Sequence, residues 1–195
     1  MVDNFKQIEV QLAFPSEDSF YFVQVIQRKK DNPGIKGANN SSRLIKGYYI
    51  TSVEHLEREK EEIVLLANHY NARAGINLNR RSFRRIAFQT LQKITDQMMN
   101  DDYKSVRRAY NSACGQFAKE TDKKWIIDID DKEFNCLELK KHLFNIDPKG
   151  HKIIMILDTP NGLHVISSPF NIQQFRKKYP DIDIHKNNPT ILYVP

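Results

Sequence analysis

The stretch Lys124-Trp-Ile-Ile-Asp-Ile-Asp130 combines β-branched residues with two carboxylates. Such a run is typical of a central β-strand, and residues two positions apart on a strand project to the same face. Asp128 and Asp130 are therefore expected to stand side by side. Adjacent carboxylates repel each other unless a cation or a proton lies between them, and Mg²⁺ and Mn²⁺ prefer oxygen ligands of this sort. The pair indicates a metal site, and a merely solvated acidic pair is an equally good interpretation.

A helix and a β-hairpin are predicted after this strand. The pattern predicts a helix over 134–144 and strands over 152–157 and 163–167, with turn residues between the two strands. At the mouth of this hairpin, Asn161, Gly162 and His164 could approach an anion, because backbone amides and an imidazole meet there. A lone histidine is more often a packing residue, so that interpretation also stays open.

The last part of the chain offers a third carboxylate. Asn171 is expected to cap a short helix that ends near Lys178, and strands are expected over 182–184 and 190–194. Asp183, on the first of these strands, could join the acidic pair. The alternative is an ordinary acid on the surface of a strand.

The N-terminal half predicts a second α/β unit. Its expected elements are strands over 20–26, 47–50 and 72–79, an exposed loop over 31–42, helices that begin after the capping residues Ser52 and Ser82, and a helix over 103–119. Apolar residues at helical spacing mark the helix after Ser82: Ile86, Leu91, Ile94 and Met98. We expect residues 1–120 to form an N-terminal α/β module with a basic helix, and residues 121–195 to form a second module packed against it as one unit.

Positive charge favours a polyanionic partner. The formal net charge is +6, and five arginines are candidates for contact with a nucleic acid: Arg73, Arg80, Arg81, Arg84 and Arg85. Four of them surround the start of the helix after Ser82, where cations oppose the helix dipole. A bound phosphate would relieve that cost, and a solvated basic face explains the cluster equally well.

Composition limits the class of protein. The 195 residues are 40% hydrophobic and 28% charged, which is typical of a folded globular chain rather than a disordered or membrane protein. No apolar run approaches the roughly 18 residues that cross a bilayer, and no signal sequence opens the chain, so a cytoplasmic location is expected. The two cysteines match no zinc-binding spacing.

Taken together, the strand that ends in Asp128-Ile-Asp130, the Asn161-Gly-Leu-His164 hairpin and the later Asp183 resemble the catalytic core of the archaeo-eukaryotic primase (primase-polymerase) superfamily. The resemblance covers about residues 123–185. Gly162 stands where that family usually has a serine. The resemblance implies an α/β fold in which a sheet related to the RNA-recognition motif carries the site and helices pack on that sheet.

The same resemblance implies roles for the candidate residues. Asp128, Asp130 and Asp183 would be catalytic and would bind Mg²⁺ or Mn²⁺, and His164, with Asn161 and Gly162, would contact the incoming nucleotide. Arg73 would contact the template or a phosphate. The implied partners are nucleoside triphosphates, a single-stranded or primed nucleic acid and a separately encoded helicase.

Two alternatives to a polymerase remain open at this stage. A strand that ends in Asp-x-Asp also resembles the haloacid dehalogenase superfamily of phosphatases, in which Asp128 would be the nucleophile and Asp130 the general acid. A non-catalytic nucleic-acid-binding protein, or an inactive primase relative, would use the basic helix for phosphates. Tyrosines for base stacking would be Tyr48, Tyr49, Tyr70 or Tyr110.

Overall fold

Two antiparallel sheets organise the chain in the computed structural model, which describes residues 1–34, 42–116 and 122–195. The strands are β1 (Val2–Asp3), β2 (Ser19–Arg28), β3 (Ser42–Ile50), β4 (Arg73–Ser82), β5 (Trp125–Ile129), β6 (Ile153–Asp158), β7 (Leu163–Ser167), β8 (Asp183–His185) and β9 (Thr190–Val194). The helices are α1 (Phe5–Glu9), α2 (Val53–His69), α3 (Phe83–Met99), α4 (Tyr103–Val106), α5 (Ala109–Gln116), α6 (Cys136–Asn145) and α7 (Ile172–Arg176). The expected mixed α/β class is confirmed.

The second sheet has the strand order β6-β7-β5-β8, and all of its neighbouring strands are antiparallel. Its chain order, β5-α6-β6-β7-α7-β8, is the β-α-β-β-α-β motif. As the sequence predicts, β5 lies in the interior of the sheet. One face, with Ile127 and Val165, packs on α6 and α7, whereas Ile126 and Ile166 on the other face join the core of the first sheet.

The first sheet has the order β1-β9-β4-β2-β3 and includes the last strand of the chain. β9 pairs with β1 on one side and with β4 on the other. The expected division at residue 120 therefore separates the two sheets only as far as β8, because β9 returns to the sheet of the N-terminal half.

Side-chain caps begin three helices at the residues that the sequence indicates. Ser52 accepts a hydrogen bond from the His55 amide, Ser82 from the Arg85 amide, and Asn171 from the Gln174 amide.

No helix among the described residues is long and apolar enough to cross a membrane.

Two expectations in the N-terminal half need correction. The single helix expected over 103–119 is wrong: α4 and α5 are separate helices, which lets α5 bury Ala113 and Cys114 beside Phe20 and Phe22, and residues 117–119 lie outside the described residues. On α3, Ile86 is buried but Leu91 and Met98 are exposed, so its apolar spacing does not mark one buried face. Residues 35–41 of the expected loop over 31–42 also lie outside the described residues.

Candidate functional site

Three adjacent strands of the second sheet bring candidate residues together around Asp128. In the antiparallel registers, Asp128 of β5 lies opposite His164 of β7 and opposite Asp183 of β8. Directly paired residues of antiparallel strands share a face. This face also carries Ile126 and is the one turned toward the first sheet. Asp128 and His164 therefore lie in the cleft between the two sheets, whereas Asp183 lines a neighbouring pocket.

The Asp128 carboxylate contacts two imidazoles. Its Oδ1 lies 3.3 Å from His164 Nε2, and its Oδ2 lies 3.5 Å from His185 Nε2. Hydrogen bonds from His164 and then His185 hold the pKa of the Asp128 carboxyl well below its usual range. The same contact with Asp128 raises the pKa of His185. Asp128 is therefore an anion near neutral pH, and protonation of His185 is favoured.

His164 is fixed from the other side of the cleft by β9. Its Nδ1 lies 2.8 Å from the hydroxyl of Thr190, which is fully buried. When His164 directs its Nε2 proton at Asp128, Nδ1 accepts the hydroxyl proton of Thr190. A residue of the first sheet therefore orients an imidazole of the second sheet.

A pocket of about 560 Å³ opens beside this cluster. One wall carries the carboxylates of Asp128 and Asp130 together with His164, and Asn161 also lines it. The opposite wall carries three cations, which come from the ends of β2 and β4: Arg28, Lys30 and Arg73. Pockets of about 300 to 1,000 Å³ are typical of small-molecule sites. The opposed charges suit a ligand that carries phosphates and a metal ion.

Arg73 is held in the basic wall by Asp31. Its Nε donates to Asp31 Oδ2 at 2.7 Å and its Nη2 donates to Oδ1 at 2.9 Å, which makes a two-pronged ion pair. Arg28 Nε lies 4.0 Å from the same carboxylate. Asp31 thus fixes the direction of Arg73 and offsets part of the positive charge of this wall.

Three carboxylates determine whether the site suits a divalent metal ion. Asp128, Asp130 and Asp183 line a smaller adjoining pocket of about 240 Å³. Their oxygens fit Mg²⁺ or Mn²⁺ by donor type. In the part of the chain that the structure describes, no three His, Cys, Asp or Glu side chains form a ready metal cluster. Because each oxygen of Asp128 already has a histidine contact, a metal ion there would bind through the remaining lone pairs or replace an imidazole.

Gly162 has a local role in the β6–β7 hairpin. A Cβ atom at this position would lie 1.9 Å from the carbonyl oxygen of Ile129, and the Gly162 amide donates to Thr159 Oγ1 at 3.0 Å. Close contact with the end of β5 therefore requires glycine here, whatever binds nearby. The amide that could face an anion already has a partner.

Two of the remaining candidate arginines, Arg80 and Arg81, lie near the other end of β4, roughly 23 to 26 Å from Arg73 at about 3.3 Å per residue. Arg81 is buried and donates to the Cys114 carbonyl and to Asn187 Oδ1. Arg80 lies 3.7 Å from Asp122. The cluster at the start of α3 is therefore separate from the pocket.

At that end, Arg84 and Arg85 lie beside Asp18, which accepts a hydrogen bond from the Arg84 amide. The Ser82 hydroxyl, the Arg84 amide and the charges of both arginines hold the pKa of Asp18 below its usual value. The helix dipole favours an anion at the N-terminal end of α3, and the Asp18 carboxylate is that anion.

Sequence patterns alone did not identify several residues of the pocket. His185 is two positions after Asp183 on β8, so the two-residue period of a strand could have predicted that the two side chains share a face. Arg28, Lys30 and Thr190 carried no such signal, because they reach the pocket only when the two sheets pack.

Comparisons of this chain with protein-family models, with curated proteins and with solved structures find no match.

Proposed function

We propose that this protein is a metal-dependent nucleotidyltransferase of the primase-polymerase type, which adds nucleotides to a nucleic-acid strand. One observation carries the proposal: Asp128, Asp130 and His164 line a single pocket whose opposite wall is basic. Nucleotidyl transfer needs carboxylates for metal ions and cations for a triphosphate within reach of each other.

The fold supports this proposal. The β-α-β-β-α-β order with strands β6-β7-β5-β8 is also the arrangement of the RNA-recognition motif, to which the catalytic sheet of primase-polymerases is related. The acidic strand β5 and the histidine strand β7 are direct neighbours in it. The first sheet would supply the phosphate-binding cations.

Each group has a distinct role in the proposed reaction. Asp128 and Asp130, with Asp183, would hold Mg²⁺ or Mn²⁺, which when bound activates a 3′-hydroxyl and neutralises the departing pyrophosphate. His164, Arg28 and Arg73 would bind and orient the phosphates of the incoming nucleotide. Its partners would be a nucleoside triphosphate and a single-stranded or primed template.

An inactive relative that binds nucleotides without transferring them is the second candidate. The observation that favours it is the pair of histidine contacts on Asp128, which occupy both oxygens that would bind a metal ion. The phosphatase alternative has less support, because a nucleophilic carboxylate needs an oxygen free to attack phosphorus.

Nucleotide incorporation on single-stranded and primed templates, with Mg²⁺ or Mn²⁺, tests the proposal. We expect the wild type to extend a strand and the Asp128→Ala, Asp130→Ala double variant to lose at least about a hundredfold in rate, because metal binding fails. A matched control removes two exposed acids of α2, Glu57→Ala with Glu61→Ala, and should keep full activity.

Circular dichroism of all three proteins separates loss of chemistry from loss of fold. A folded wild type that incorporates no nucleotide with either metal, yet binds a nucleoside triphosphate in calorimetry, would overturn the transferase and favour the inactive relative. Release of inorganic phosphate from a simple ester, without any template, would favour the phosphatase.

A further inference from the structure

A second pocket, of about 790 Å³, adjoins the candidate site on the first sheet. It shares three lining residues with the pocket that contains Asp128: Ile26, Arg28 and Lys30. In the register of β2 with β3, Arg28 lies opposite Ser42, which also lines the second pocket. The first pocket extends to Gly75 on β4, the neighbour of β2 on its other side. The two pockets therefore form one groove across β4, β2 and β3, which is called the sheet groove below.

The charged residues that line the second pocket are all cations. They are Arg28, Lys29 and Lys30, and among the described residues no carboxylate lines this pocket. Lys29 and Lys30 are exposed to solvent. Asp31, which offsets the charge of Arg73, lines the first pocket but not the second. The second pocket therefore presents positive charge to an anionic ligand.

The length of the sheet groove indicates a ligand longer than one nucleotide. A pocket of about 300 to 1,000 Å³ encloses one small molecule, and each of the two pockets reaches that size by itself. The proposed incoming nucleotide would occupy the first pocket, beside Asp128, and leave the second pocket open. From β4 to β3 the groove crosses two strand spacings, or about 10 Å, which is room for two or three nucleotides at a rise of about 3.4 Å.

The arginines near the start of α3 are weaker candidates for contact with a nucleic acid. The Asp18 carboxylate accepts a hydrogen bond from the Arg84 amide, and the charges of Arg84 and Arg85 act on it. Arg81 is buried. An internal anion and burial thus use part of the positive charge at that end of β4, whereas no acidic residue of the described chain lines the second pocket.

We propose that the sheet groove binds a single-stranded nucleic acid whose phosphates contact Arg28, Lys29 and Lys30. The strand passes from the edge strand β3 over β2 and brings one end to the pocket of Asp128. Ile26, which lines both pockets, contacts a sugar or a base. The identity of this ligand rests on the proposed function, but its binding requires neither a metal ion nor catalysis.

Fluorescence anisotropy with a labelled single strand of about 12 nucleotides, in the presence of EDTA, tests the sheet groove. With three phosphate contacts, log Kd should rise with log salt concentration with a slope of about 2, because each contact on a single strand adds about 0.7. Lys29→Ala with Lys30→Ala removes two contacts. This variant should have a slope of about 0.7 and should bind about twentyfold more weakly in 0.1 M salt.

Two double variants of equal charge are the controls. Lys140→Ala with Lys141→Ala removes an adjacent, exposed lysine pair from α6 and should keep the wild-type slope and affinity. Arg84→Ala with Arg85→Ala removes the same charge from the start of α3 and should also bind as the wild type does. Circular dichroism establishes that all variants are folded.

Three results would contradict the sheet groove. One is a wild-type slope and affinity for the Lys29, Lys30 variant, and another is an equal loss in the Lys140, Lys141 control, which would mean attraction by net charge alone. The third is displacement of the strand by an equal concentration of an oligoglutamate of the same length, which would favour an acidic protein as the partner.

The same variant separates failure of the sheet groove from failure of the proposed function. A wild type that binds the strand through Lys29 and Lys30 but incorporates no nucleotide would exclude the transferase and leave the sheet groove intact. Extension of a primed template by the Lys29, Lys30 variant at the wild-type rate, with wild-type affinity for the strand, would exclude the sheet groove and leave the transferase intact.

Discussion

Gly162 shows how one residue holds the β6–β7 turn against the end of β5. A Cβ atom here would lie 1.9 Å from the Ile129 carbonyl oxygen and 2.6 Å from the Asp131 amide nitrogen, both of which are backbone atoms. Gly162→Ala must therefore move backbone, and we expect it to lower the free energy of unfolding by about 3 kcal/mol or more. Urea denaturation measures the change.

Gly115→Ala is the matched control for this substitution. Among the described residues, nothing lies within 4 Å of the Cβ position at Gly115, which is in helix α5, so alanine should leave stability unchanged or raise it by up to about 1 kcal/mol. Equal stability of the Gly162→Ala protein and the wild type would contradict the close contact with β5.

Residue patterns predict the part of the site that local geometry determines. The two-residue period of β5 indicates that Asp128 and Asp130 lie together, and the hairpin positions His164 on the neighbouring strand. Arg28 and Arg73 come from another sheet, and no local pattern encodes how two sheets pack. For the same reason the sequence could not separate Arg73, in the pocket, from Arg81, which is buried at the far end of β4.

At the scale of elements, the packing of α6 against α7 and the residues that directly follow it makes the stability of the fold depend on pH. The ring of His142 on α6 lies 6.0 Å from the Phe175 ring and 5.4 Å from the Tyr179 ring. Burial, with a smaller effect from the charge of Lys178, lowers the pKa of His142. The folded protein therefore binds this proton less tightly than the unfolded chain does.

The lowered pKa of His142 determines the direction in which the free energy of unfolding changes with pH. A lowered folded-state pKa contributes stability that is fully present above the ordinary histidine value of 6.5 and is lost as the pH falls through the folded-state value. We expect the contribution of His142 to the unfolding free energy to decrease between about pH 7 and pH 5, whereas His185, whose pKa is raised, contributes with the opposite sign. His142→Gln should reduce that decrease, whereas His69→Gln, at an exposed histidine, should not. Identical pH profiles for His142→Gln and the wild type would rule out this contact as the cause.

Elements were predictable where capping and periodicity agree with packing. Ser52, Ser82 and Asn171 begin helices as their side-chain chemistry indicates. The single helix expected over 103–119 failed because the burial of Ala113 and Cys114 against the first sheet outweighs a continuous helical pattern. On α3, the helical spacing of the apolar residues was visible in the sequence. Which of them face the core and which face solvent depends on the elements that pack against the helix, and so Ile86 is buried whereas Leu91 and Met98 are exposed.

At the scale of the whole molecule, β9 joins the two sheets. It pairs with β1 and β4, and its first residue, Thr190, contacts His164 of the second sheet. The core beneath it contains Leu192 of β9 together with Ile126 and Ile166 of the second sheet. Because the two sheets share this core, they are expected to unfold together.

Trp125, the one tryptophan of the chain, makes this cooperativity measurable, because it lies on β5 of the second sheet. Leu192→Ala, on the first sheet, should cost about 2 to 5 kcal/mol and should lower the midpoint of the Trp125 fluorescence transition as much as that of far-ultraviolet circular dichroism. Leu65→Ala, at an exposed leucine, is the control and should shift neither midpoint appreciably. A Trp125 midpoint that stays at the wild-type value in the Leu192→Ala protein would mean that the sheets unfold independently, and that β9 does not couple the basic wall of the pocket to the acidic strand.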